Sequence, residues 1–502
     1  MAAMIYYAQC AVRRLVGLAV AGLVGGTLSG CESILDVELP GQLVEEDVFT
    51  PENAELLVNS AIADFECAYS MMSATLTTMG EETWAGTGST FGGTHGDFDT
   101  DRPGGGYCAD NDNVGTAWWH GYERSRLFAE RSLQRLMEEW TEVENRQRLM
   151  ATAAVYAGLT YDFIGSTFCE YVYEDEGVVP PSEVLGRAEE HFTTALEIMG
   201  DGDFSIVSTS SLKQLAYLGR ARVRRTLGDY SGAAQDAAVV EPGFVAWVTR
   251  DGQERGRWNE VYYLQQGFGY RTVAGPKWWW GHEPDRLVSA GMWDLTIADD
   301  GRGFHTVGLE NGVPDVRVPE TATGDPILDG ATPFHRQDRY ASTADWQRMA
   351  SWQEAQLILA EIERGQSAVD RINAIRDVHS LPHLNTTDEG AIFSAIVEER
   401  RRELFLEGAR HYMDALRYGL FFPRGRGVNR VGDRYGFSYC LLPPETMYEL
   451  NENVPSGYIG PDLADLSYAW ELQIDEKPEW PVPASLPRFD VMEFGAVPWQ
   501  MW

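Results

Sequence analysis

GRARVRRTLGDYSGAAQDA, residues 219–237, reads as a helix, a Gly-Asp turn and a second helix. Its small residues, Gly219, Ala221, Gly232, Ala233 and Ala237, fall where the two helices must approach closely. Working outward, helical periodicity predicts helices over 117–140, 146–164, 185–199 and 212–227 before the turn. On the first of these, Trp118, Tyr122, Ala129, Leu133 and Leu136 form one stripe. Upstream, Thr50-Pro51-Glu52-Asn53 opens a further helix: Thr caps, Pro suits the first position and Glu52 meets the positive end. Ala54, Leu57, Val58, Ala61 and Phe65 then recur at helical spacing.

Paired helices of this kind are similar to tetratricopeptide-type hairpins, although no clean period of about 34 residues repeats. A second helical block follows further on. Helices are predicted over 351–365, ending at Gly365, over 367–381, and from 389 to 418 as one continuous helix. In the last, Phe393, Val397, Leu404, Gly408, Tyr412 and Leu416 form a packing stripe, with Gly408 allowing another helix close. Arg400, Arg401, Arg402, Glu403 and Glu407 recur at three- and four-residue spacing, which predicts a solvated, ion-paired face with no ligand role. Between the helices lie long irregular stretches, 80–115 and 241–343, rich in Gly, Pro, Asp and Trp. Loops of this length are often functional. The fold class is therefore mainly α, helical hairpins carrying long irregular insertions. The expected division is a leader over 1–30, a helical region over 31–245, an insertion over 246–343 and a second helical region over 344–502.

The 502 residues include 40 Lys and Arg against 76 Asp and Glu, a net charge of −36. Nucleic-acid binding needs clustered cations, so this balance argues against it and favours neutral or cationic ligands. Arg13 and Arg14 precede an apolar stretch, 15–24, that is too short to cross a bilayer and fits a secretory leader. It ends in Leu28-Ser29-Gly30-Cys31. In an ordinary leader Cys31 would be incidental, but this ending resembles a bacterial lipobox, whose cysteine is lipidated and becomes the new N-terminus. Several acyl chains then hold a protein stably on a membrane.

Cys10 falls in the leader, which leaves Cys67, Cys108, Cys169 and Cys440. Their spacing is too wide for a zinc knuckle or a redox pair, and in an exported chain they can form two disulfides in one of three connectivities. Cys67 with Cys108 closes the smaller loop and is the first choice, leaving Cys169 with Cys440. Asp97, Asp99 and Asp101 alternate as calcium ligands can, but Arg102 and Cys108 stand where an EF-type loop needs Gly and Glu, so an Asp-rich turn is the better reading. His379 and His383 have helical metal spacing, yet Pro382 between them marks a helix exit. No nucleophile elbow, P-loop or dinucleotide fingerprint occurs, and no cofactor is implied.

Aromatic residues are the remaining signal, with 16 Trp in the chain. In KWWWGHE, 277–283, neighbouring side chains of an extended segment alternate sides, so Trp278, Trp279 and Trp280 cannot all enter one core. At least one is expected to line a groove, and indole faces suit sugar rings. Trp84, in the Gly-rich stretch, is a second ligand-binding candidate. Trp118 and Trp119 read as core.

Four stretches resemble the SusD/RagB family of outer-membrane nutrient-binding lipoproteins, in that family's order. They are CESILDVELPGQLVEEDVFTPENAELLVNSA (31–61), the block around 218–237, WQEAQLILAEIERGQSAVDRINAIRDVHSL (352–381) and EERRRELFLEGARHYMDALRYG (398–419). PVPASL, 481–486, is weakly similar to the family's closing segment. Where the family's acidic residue comes three positions after the arginine, Asp414 comes four after Arg410, which still puts both on one helix face. The resemblance implies a non-catalytic receptor, lipid-anchored through Cys31 and exposed on the outer membrane. It would bind an oligomeric nutrient such as an oligosaccharide and pass it to a SusC-like TonB-dependent transporter. The rival readings are a lipid-anchored glycoside hydrolase on a helical toroid and a structural helical-repeat adaptor.

Overall fold

The computed structural model describes residues 45–79, 82–85, 119–173, 175–267, 271–273, 315–328, 330, 333–418 and 440–461. Contacts divide the chain at Thr50. The described part of the first unit holds a one-turn helix, Glu45–Val48. Everything from Pro51 onward forms the second unit.

That unit opens with a 3-10 turn at Pro51–Asn53 and continues as α1, Ala54–Met79, longer than the Thr50 signal alone specified. The expected stripe of Ala54, Leu57, Val58, Ala61 and Phe65 is buried. A three-residue strand, β1 (Thr83–Ala85), follows, and the chain re-enters at α2 (Trp119–Glu138) and α3 (Arg146–Thr167). Nearly all of α3 from Leu149 on is buried, as befits a helix that is apolar on every side. A small hairpin, β2 (Tyr171–Tyr173) and β3 (Gly177–Val179), leads to α4, Pro181–Met199, which starts earlier than expected because Pro181 takes its first position. The quoted stretch then behaves as read. α5 (Leu212–Leu227) ends at Gly228 with φ 91°, and the Asp229 side chain accepts the Gly232 N–H to cap α6, Tyr230–Ala237.

Small residues set the helix spacing. A Cβ on Gly219 would sit 2.4 Å from the Phe192 ring and one on Gly158 2.9 Å from it, so the ring of α4 lies between two bare backbones, on α3 and α5.

β4 (Val245–Val248) ends this block. Three further strands, β5 (Arg271–Val273), β6 (Glu320–Pro326) and β7 (Pro333–Gln337), lie in stretches read as irregular, as β1 does; β1 and β5 are too short to carry a period, and ETATGDP and PFHRQ show no apolar alternation. β8 (Gln347–Ser351) pairs antiparallel with β4 and delivers Ser351, whose hydroxyl caps α7, Trp352–Glu363. α7 packs on α6 and on α8, Gly365–Val378, extending the row of helices.

The predicted helix over 389–418 is two helices. α9 (Glu389–Glu403) stops, and α10 (Arg410–Tyr418) starts after a reversal in which Leu406, Gly408 and Ala409 have φ of 58°, 55° and 57°. Gly408 admits a close neighbour, but that neighbour is the Tyr69 side chain, 2.5 Å from where a Cβ would stand. Leu406 donates its N–H to Glu82 and accepts from the Tyr340 hydroxyl, so partners distant in sequence hold the reversal. The charges of this segment are not on a solvated face: Arg400, Arg401, Arg402, Glu403 and Glu407 are all buried. A last short helix, α11 (Glu445–Glu449), supplies Tyr448 to a small core with Val172 and Val454.

Candidate functional site

β1 pairs antiparallel with β5, setting Thr83 opposite Val273, Trp84 opposite Thr272 and Ala85 opposite Arg271. β5 lies against β7, which pairs with β6. Beneath these ribbons, Val273, Ala74, Val261, Leu264, Val318, Tyr340, Phe405 and Leu406 form a separate apolar core. The two irregular stretches that hold every aromatic candidate therefore depart from one short ribbon.

Polar contacts clamp the ribbons to the α9–α10 reversal. Glu82, just before β1, is fully buried, and one oxygen accepts the Leu406 N–H at 2.8 Å. Burial pushes its carboxyl up to about 8, with the Leu406 hydrogen bond and Arg339 opposing. At the end of β7, the Gln337 side chain donates to the Tyr340 carbonyl at 2.9 Å and accepts the Tyr340 N–H at 2.8 Å. Arg339 pairs with Glu407, and Arg348 reaches Glu407 at 2.6 Å and Glu403 at 2.9 Å. Burial raises Glu407, whereas at Glu403 the hydrogen bond from His379 and the charge of Arg348 overcome burial and lower the carboxyl.

A second set of buried pairs ties the helices together. Arg222 on α5 grips Glu354 on α7 through two bonds of 2.7 and 2.5 Å and also donates to the Met349 carbonyl. Arg400 bonds Asp414 at 2.6 Å, Arg417 pairs with Glu361, and Arg317 and Arg376 share Glu399 at 2.5 and 2.7 Å. At Glu354 and Glu361 burial opposes ionisation, but the facing guanidiniums prevail and hold both carboxyls at about 2. These carboxylates are held ionised by structural partners and are unsuited to exchanging protons near neutrality.

No family model matches the sequence, and no curated protein is similar to it. Solved structures are similar in fold. A SusD superfamily protein from Bacteroides vulgatus matches with a TM-score of 0.55 at 16% identity, over 82% of this chain and 100% of that one. A SusD-like carbohydrate binding protein from the same organism gives 0.53 at 15%, over 74% and 83%. A SusD homolog from Bacteroides thetaiotaomicron gives 0.53 at 15%, over 81% and 97%.

The chain has the SusD-like fold.

Within it, Trp84 lies on β1, at the root of its irregular stretch. Cys31, Asp97, Asp99, Asp101, Cys108, Trp278, Trp279 and Trp280 lie outside the described residues. Cys169 and Cys440 are disulfide-bonded with Cα atoms 5.1 Å apart, beside a backbone bond from Cys169 to Leu441. Cys67, on α1, is also disulfide-bonded. Trp119 is fully buried against Phe168 and Tyr171. His379 bonds Glu403, and His383, beyond the end of α8, bonds Asp377 in that helix's last turn. Among the described residues no group of three His, Cys, Asp or Glu side chains could hold a metal ion.

Sequence reading passed over Trp346. It is the most exposed of the described tryptophans, at 42%, and its indole N–H is donated to the Arg250 carbonyl at 3.0 Å. A lone indole in STADW carries no aromatic run to draw notice.

Proposed function

We propose that this chain is a non-catalytic surface receptor for an oligomeric nutrient, a glycan first. In this reading Cys31 carries the lipid anchor in the outer membrane, and a SusC-like TonB-dependent transporter receives the cargo. The helical regions (31–245 and 344–502) form the rigid frame, and the stretch 246–343 contacts ligand and transporter. The SusD-like fold supports the reading, as does the carbohydrate binding named for one of its structural neighbours.

The observation that carries it is the β1–β5 ribbon, which brings Trp84 opposite Thr272. Trp278 is five residues beyond Val273, so the covalent chain limits it to about 18 Å from the ribbon. In this reading the aromatic residues of the two stretches serve one ligand, as a stacking platform for sugar rings requires. Cys67 bonded to Cys108 would close the Gly-rich stretch onto α1.

Co-purification from detergent-solubilised outer membranes tests the partnership. A β-barrel with a TonB-dependent plug is expected to accompany the protein, and a Cys31→Ser variant is expected to leave the membrane fraction and incorporate no labelled fatty acid. Recovery of the chain alone from gently solubilised membranes, or persistent labelling of the variant, contradicts the reading.

A further inference from the structure

Where α3, α5 and α10 meet, Asp162, Ser166, Arg222, Arg225, Arg410 and Asp414 line a small cavity together with Arg400 and Arg417. About 20 Å³ of it is open to the centre of a water-sized sphere, room for one small solute.

The guanidiniums here are unequally served. Arg222 has Glu354, but its Nη1 is buried without a hydrogen-bond acceptor. Arg225 is 7% exposed; its Nε and Nη1 have none either, and its nearest carboxylate, Glu361, stands 3.6 Å away. Arg410 is 5% exposed, with Nε and Nη2 unsatisfied and the oxygens of Asp162 and Glu354 no nearer than 4.0 Å. Buried N–H groups in native proteins have acceptors, and leaving a charged donor without one is expensive. Burial, together with the neighbouring charges of Arg417 and Arg400, lowers Arg225 to about 10, so the cations there repel one another. Water could accept these hydrogen bonds but would leave that repulsion in place. Asp162, whose Oδ2 stands 3.9 Å from Arg222 and 4.0 Å from Arg410, is shifted by burial toward its protonated form and so opposes an anion less than an ordinary aspartate would, while the charge of Asp414 is met by Arg400 at 2.6 Å.

We propose that this cavity binds a single small inorganic anion, of chloride size, between Arg225 and Arg410. The anion locks α5 and α10 to α3 as part of the folded frame and takes no part in ligand capture. Crystals of the full chain soaked in sodium bromide test it through anomalous scattering. A bromide peak is expected within hydrogen-bond distance of both guanidiniums; an ordered water there, or bromide at surface sites only, overturns the proposal. In solution, replacing gluconate by chloride at constant ionic strength is expected to raise the melting temperature saturably, by about 1–2 °C at tenfold excess over the dissociation constant. Arg225→Gln is expected to lose that increment, and equal melting temperatures of the natural chain in the two salts overturn the proposal. If Arg225→Gln fails to fold, the bromide map of the natural chain decides.

Discussion

Arg135 pairs with Glu139 at the end of α2, one turn apart, and the two side chains are 42% and 50% exposed. Glu399 and Arg400 on α9 are each 1% exposed and bond to groups outside their own helix. Both helices carry Arg and Glu three and four residues apart, as in Arg126 with Glu123 and Glu130 on α2 and Glu398 with Arg401 and Arg402 on α9. The partner's location separates them: Arg317 is 82 residues from Glu399, and Arg222 is 132 from Glu354. Spacing along one helix describes neighbours on that helix and is silent about what packs over it. The SusD-like frame thus uses two kinds of joint, small residues against rings and buried ion pairs, and α5 carries both, in Gly219 and Arg222.

Glu354→Ala should produce the largest effect, because it strands Arg222 in the interior. A loss of about 3–5 kcal/mol is expected in urea unfolding, and replacing the pair together, Arg222→Met with Glu354→Leu, should recover much of it. A loss under about 1 kcal/mol would place the buried pairs in the same class as the surface of α2. Gly219→Ala probes the joints made by small residues. Its methyl group would stand 2.4 Å from Phe192, so about 1–3 kcal/mol should be lost, with recovery in a Phe192→Leu background.

Glu82 sharpens the contrast through pH. Its folded carboxyl, at about 8, lies above the ordinary value, so the folded state binds the proton more tightly. The stability it contributes is complete below the unfolded value of 4.5 and is lost as pH rises toward 8. Glu82→Gln, which still accepts from Leu406, should flatten that decline and leave the variant more stable than the natural chain at pH 8. An unchanged pH profile would mean that the β1 clamp is already ionised. The smallest effect belongs to Arg135→Ala, within about 0.5 kcal/mol, since an exposed pair contributes little.

Local signals in the residues account for most of the frame. Gly228 and Asp229 end and restart helices with their own atoms, so α5 and α6 are legible within a few residues. The reversal after α9 is not legible, because φ at Leu406 and Ala409 is held positive by contacts such as that of Glu82, 324 residues from Leu406. β1 escaped notice for a related reason: three residues have no period, and its partner β5 lies in another insertion. Of the candidate site, the aromatic composition was legible, whereas the ribbon that joins Trp84 to the later insertion depends on tertiary pairing.

Calorimetric titration of the purified chain with starch, laminarin and xylan oligosaccharides, alongside melting curves, tests the receptor reading most directly. Trp84→Ala, Trp278→Ala, Trp279→Ala and Trp280→Ala would be titrated beside the natural chain. At least one oligosaccharide should bind, with no reducing sugar released. At least one Trp variant should weaken binding about fivefold, as loss of a stacking contact of about 1 kcal/mol implies, at nearly unchanged melting temperature. Absence of binding to every oligosaccharide, release of reducing sugar, or variants that all lose stability while none loses affinity selectively would contradict the account.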